Sequence, residues 1–145
     1  INVQGDEPLI DPAVIDALIE PFLTDETLPM ATAKTLLTDE EEIANPNNVK
    51  VITDITGNAL YFSRARIPYA RNAGAKVYKH IGIYAYRRDF LLAYARMAQT
   101  PLERSESLEQ LRALENGHAS ASSRRTPYLL ASTRRRILRQ SMKSI

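Results

Sequence analysis

The chain contains no cysteine among its 145 residues. That excludes a disulfide framework and thiolate metal sites, and it is the usage expected in the cytoplasm. No apolar run approaches the ~20 residues a membrane-crossing helix needs, so a membrane partner is not expected. Acidic residues are also missing from one region: none follows Glu115. Residues 1–118 hold 12 Lys and Arg against 17 Asp and Glu, while residues 119–145 hold seven Lys and Arg and no acid. So abrupt a change of sign marks a boundary. We expect one domain over 1–118 and an aberrant basic tail over 119–145.

What is present suits a globular domain, since 44% of the residues are hydrophobic, enough for one core. Asp11-Pro12 starts a helix, because Asp caps and Pro is tolerated in the first turn. Val14, Ile15, Leu18, Ile19 and Phe22 then recur at helical spacing. Leu28 to Leu37 reads as a strand, and Thr38 to Glu42 as a capped short helix with acids in its first turn. Asn45-Pro46-Asn47-Asn48 is a turn. Val49–Thr53 and Ala59–Ser63 flank Thr56-Gly57-Asn58 as a hairpin. Residues 69–77 read as a mobile loop, and Val77 to Tyr86 as a central strand. Phe90 to Met97 is helical. A second helix opens at Pro101, with Leu102, Leu108, Leu111 and Leu114 on its apolar side, and ends at Asn116-Gly117. Strands mixed with helices indicate an α/β fold.

The opening residues, Ile1-Asn2-Val3-Gln4-Gly5-Asp6-Glu7-Pro8, read as the end of a buried strand running into a polar loop. Such loops lie at the carboxyl edge of parallel sheets, where ligands bind. A carboxylate beside a Gly suits a hard cation such as Mg²⁺, although Asp6 could equally bond local backbone N–H groups. A site loop so early leads us to expect that the chain is a fragment.

Five segments occur in order: NVQGDEP (2–8), NPNNVKVITD (45–54), ALYFSRARIP (59–68), KHIGIYAYRR (79–88) and PLERSESLEQLRALENG (101–117). With them the chain resembles the 3-deoxy-manno-octulosonate (Kdo) cytidylyltransferases. The resemblance implies a Rossmann-like nucleotide-diphospho-sugar transferase type fold with a mixed sheet, here without its N-terminal strands. It implies transfer of CMP from CTP to Kdo with release of pyrophosphate, for lipopolysaccharide synthesis. The implied cofactor is Mg²⁺ and the implied assembly a homodimer, with Tyr61 to Pro68 and the loop after it at the dimer contact. Asp6 matches the metal ligand. Gln4 matches a residue facing the sugar, and Arg64 one that pairs with the sugar carboxylate. His80 matches a sugar-binding histidine acting as a hydrogen-bond partner. Tyr84 either reaches the site or is a buried core tyrosine. Glu109 and Gln110 match residues that hold sugar hydroxyls.

The family continues with a strand and a Val-Asp-Thr-Pro-Glu-Asp-Leu-like segment, whose first Asp is a second metal ligand. Neither occurs in the tail. Plausible codons for Ser132 to Leu138, read one nucleotide earlier, permit that segment. The same shift turns Ala119 to Arg125 into a possible strand. We therefore expect residues 119–145 to be out of frame. Without the family's N-terminal CTP-binding loop and second ligand, this chain is expected to be inactive. Two other readings are an inactive dimer-forming relative, and a protein whose basic tail binds nucleic acid or an anionic surface. The tail's lack of a groove-reading motif or an apolar face argues against the latter, so no nucleic-acid partner is expected.

Overall fold

A computed structural model describes residues 1–4, 11–118 and the backbone of 128–130. The elements are β1 (Asn2–Val3), α1 (Pro12–Thr24), β2 (Met30–Leu37), α2 (Glu40–Ala44), β3 (Lys50–Thr53), β4 (Ala59–Ser63), β5 (Val77–Tyr86), α3 (Arg88–Tyr94), α4 (Pro101–Glu106), α5 (Leu111–Glu115) and β6 (Tyr128–Leu130). The strands form one sheet in the order β4-β3-β5-β2-β6. β6 runs parallel to β2, and the other pairings are antiparallel. The α/β class and the mixed sheet are as expected.

β5 is the central strand. β2 pairs with it from Val77 to Tyr86. Its other edge is shared: β3 takes Tyr78 and Lys79, and β1 takes Ile83 and Tyr84. Between them Val49 O accepts from His80 N at 2.8 Å and Gln4 N donates to Gly82 O at 3.1 Å. The end of β1 therefore meets the start of β3 head to tail beside Gly82. This corrects the expectation of a buried strand at the edge of a parallel sheet. β1 is antiparallel, and Val3 is 44% exposed.

Strand alternation divides the core. Ala31, Ala33, Ile83 and Ala85 turn to one face, where Leu18 of α1 packs on them with no exposed surface. Small alanines let the helix lie close to the sheet. Asp11 caps α1 by accepting from Ala13 N at 2.9 Å. The opposite face carries Met30 and Tyr84, packed under Phe90, Tyr94 and Ala113. Farther along, Leu108 and Leu111 cover Val51, Ala59 and Phe62.

Two further differences from expectation have physical causes. The single helix expected from Pro101 is two helices, broken where Ser107 adopts a left-handed φ of 53°. Arg64 causes the break's geometry: its Nε donates to Glu106 O at 2.7 Å and its Nη2 to Ser107 O at 3.3 Å. These carbonyls are held outside the helical ladder by a side chain just beyond β4. The break buries Leu108 and Leu111 and leaves Leu102 41% exposed. Residues 68–76 form an irregular, exposed connection, whereas Val77, the last residue of the expected loop, starts β5 and is buried. Among the described residues no helix is long and apolar enough to cross a membrane.

Candidate functional site

A cavity of about 380 Å³ opens where β1, the end of β5, α3 and the α4–α5 connection meet. Gln4, Tyr84, Tyr86, Tyr94, Glu109 and Gln110 line it. Four of the expected sugar-binding residues, Gln4, Tyr84, Glu109 and Gln110, are thus brought together from three distant segments.

The walls are aromatic. Tyr84 stacks on Tyr86 at 5.8 Å between ring centroids, and Tyr86 on Tyr94 at 6.1 Å. Burial, with the Glu109 carboxylate as a lesser cause, pushes the phenols of Tyr86 and Tyr94 up, so both stay neutral. Tyr94 Oη donates to Glu109 O at 2.7 Å, which fixes the turn that presents Glu109 and Gln110. Arg112 stacks over the Tyr94 ring at 5.3 Å and forms a bidentate pair with buried Glu103. Sequence reading missed Tyr86, Tyr94 and this ion pair. The Tyr84/Tyr86 alternation and the i, i+4 spacing of Phe90 and Tyr94 were the available signals.

Gln110 is 5% exposed, and its Nε2 has no hydrogen-bond partner among the described residues. A buried amide donor left unpaired costs roughly 1–3 kcal/mol. Gln110 is one of the residues that line the cavity.

His80 does not line the cavity. It lies beside Tyr84, with ring centroids 5.4 Å apart, and its Nε2 is 2.9 Å from Thr32 Oγ1. Thr32 Oγ1 donates to Ile83 O at 2.7 Å, so the histidine is the donor in their bond. Burial holds His80 down to about 3, which makes it a neutral hydrogen-bonding group and unsuited to act as a base near neutral pH.

Arg64, expected to face the substrate carboxylate, does not line this cavity. Its guanidinium bonds Pro46 O, Glu106 O and Ser107 O. Its main-chain N donates to Glu106 Oε2 at 2.9 Å. The described lining of the cavity contains no arginine or lysine. Asp6, the expected metal ligand, lies outside the described residues. Among the described residues no three His, Asp or Glu side chains gather to hold a metal ion.

Residues 1–125 match the family described as Cytidylyltransferase. A 3-deoxy-manno-octulosonate cytidylyltransferase of Fusobacterium nucleatum is 57% identical over 119 residues, which are 81% of this chain and 49% of the relative. One from Solibacter usitatus is 54% identical over 120 residues, covering 81% of this chain and 48% of the relative. A solved structure of CMP:2-keto-3-deoxy-manno-octonic acid synthetase complexed with CTP matches with a TM-score of 0.79 at 44% identity, covering 90% of this chain and 52% of that one. The chain spans about half the length of the curated relatives it matches.

Proposed function

The chain belongs to the cytidylyltransferase family, and from that premise we propose that its cavity holds Kdo while the complete protein transfers CMP to that sugar from CTP. The observation that carries this reading is the unpartnered Nε2 of Gln110 in the cavity wall. A hydroxyl-rich sugar acid supplies the acceptor that this donor lacks. Gln4 can both donate to and accept from hydroxyls, and the Glu109 carboxylate accepts. The tyrosine rings offer apolar faces to the C–H bonds of a sugar. His80 supports Tyr84 from beneath as a neutral group. Arg64 would have to leave its three carbonyls to reach the sugar carboxylate.

In the reaction the anomeric hydroxyl oxygen forms a bond to the α-phosphorus of CTP as the bond to pyrophosphate breaks, and the hydroxyl proton passes to water. Such a transfer needs in-line positioning more than covalent help. Gln4, Glu109 and Gln110 provide that positioning for the sugar. Asp6, two residues beyond Gln4, would hold Mg²⁺; one carboxylate with substrate phosphates and waters fits that ion, which supplies neutralisation of phosphate charge. The setting is cytoplasmic lipopolysaccharide synthesis by a homodimer joined near Tyr61 to Pro68, and this chain alone is inactive. The change of charge after Glu115 supports reading residues 119–145 as out of frame. DNA around the His118 codon that offers no family-like alternative frame would remove that proposal.

The sugar site is tested by titrating Kdo into the ¹⁵N-labelled chain. The side-chain amide of Gln110 should shift to saturation, and glucose, which lacks the carboxylate, should bind more weakly. An unmoved Gln110 amide at saturating Kdo would sink the reading.

A further inference from the structure

The β2–β5 ladder is irregular between Thr32 and Ala33: Thr32 pairs with Tyr84 but Ala33 with Ile81, so Gly82 and Ile83 have no partner on β2. Bulges of this kind re-aim side chains beside functional sites. Here the bulge is held from within. Thr32 Oγ1 lies 2.7 Å from Ile83 O, 3.2 Å from Ile81 O and 2.9 Å from His80 Nε2. On the outer edge Gly82 O accepts from Gln4 N at 3.1 Å. Gly82 thus sits in a fixed backbone between His80 and Tyr84, whose rings approach to 5.4 Å across it.

A Cβ built on Gly82 would lie 2.6 Å from Gln4 Oε1 and 3.2 Å from Gln4 Cδ. Real Cβ atoms do not approach an oxygen that closely. The atoms in the way belong to the end of a flexible side chain, so an added methyl displaces the amide before it displaces the backbone.

We propose that Gly82 is a positioning residue of the cavity, because the side chain it lacks is the space that holds the Gln4 amide at the sugar. Thr32 serves the same end by fixing the bulge. The proposal rests on the reading of the cavity as a sugar site, and the experiment separates the two.

Gly82→Ala, Gln4→Ala and the double variant are made in the full chain. In Gly82→Ala the Gln4 side-chain amide resonances should move while resonances of α1 and the β3–β4 hairpin stay. Kdo should bind about tenfold more weakly, the loss of about one good hydrogen bond. In the Gln4→Ala background the glycine substitution should have no further effect, because the two act as one. Unmoved Gln4 resonances, unchanged binding or fully additive losses would each overturn the proposal. If Gly82→Ala fails to fold, Gln4→Ala/Gly82→Ala decides: recovery of the fold upholds the clash with Gln4, and continued unfolding overturns it. If the parent chain binds no Kdo, the sugar reading fails, and the Gln4 resonances alone judge Gly82.

Discussion

The cavity and the Lys50 cluster, set along the same edge of β5, treat buried polar groups in opposite ways. Lys50 has no exposed surface, yet its ammonium donates to Asn45 O at 3.0 Å, Asn48 O at 2.7 Å and Arg64 O at 2.6 Å. Arg64 bonds three more carbonyls. Glu106 balances the charge while accepting from Ser63 Oγ at 2.6 Å. Arg87 repeats the device on Phe22 O, Asp25 O and Leu28 O, where α1 ends. Three protons meet three acceptors at Lys50, which leaves it nothing to offer a ligand. The cavity has a buried amide with a donor to spare. At Lys50 saturation marks a group that holds the fold, and at Gln110 the spare donor belongs to a residue that lines the cavity.

The largest effect expected from that contrast is at Lys50. Lys50→Met removes the cation and deprives the carbonyls of Asn48 and Arg64 of its proton, while Asn45 O keeps Asn48 N at 3.1 Å, so unfolding in urea should show a loss of ~3 kcal/mol. Lys50→Arg should rescue little, because a planar fork cannot converge on three carbonyls as a point charge does. A near-neutral Lys50→Met would break the comparison, since it would mean that those carbonyls are satisfied without the lysine.

A smaller effect is expected at His80, where the two regions adjoin. Burial holds it neutral, with its folded value lowered to about 3 from the ordinary 6.5. The unfolded chain binds the proton more readily, so stability is fully present above pH ~6.5. It is lost as pH falls toward 3, by up to about 1.4 kcal/mol per pH unit. Urea midpoints between pH 7 and pH 4 should fall more steeply for the parent than for His80→Gln. Parallel curves would show that the ring gains its proton without cost.

Legibility in the sequence divided along the same line. α1, β2 and the β3–β4 hairpin were readable, because Asp11, the run to Leu37 and Thr56-Gly57-Asn58 act within a few residues of themselves. The α4–α5 break was not: it depends on Arg64, more than 40 residues away in the chain, taking the carbonyls of Glu106 and Ser107. Lys50 escaped notice because a lysine in a strand gives no local sign of burial. Gln4, Glu109 and Gln110 came from the resemblance alone; polar residues in a loop and on a helix carry no periodic signal of a shared cavity. Tyr84 was left between core and site, and it is both buried and part of the cavity wall.

The smallest stability effect, and the sharpest contrast, belongs to Gln110. Its Nε2 makes no bond in the fold, so Gln110→Leu deletes an unpaired donor and adds an apolar side chain of similar size. The chain should unfold at the same urea concentration or slightly higher, a gain of up to ~1 kcal/mol. Kdo binding should fall at least tenfold, because the leucine offers the sugar no donor. Lys50→Met would lose the fold for want of a cation, whereas Gln110→Leu would keep the fold and lose only the ligand. A marked destabilisation by Gln110→Leu would mean that this amide is bonded within the fold, and the cavity would lose the feature that separates it from the Lys50 cluster.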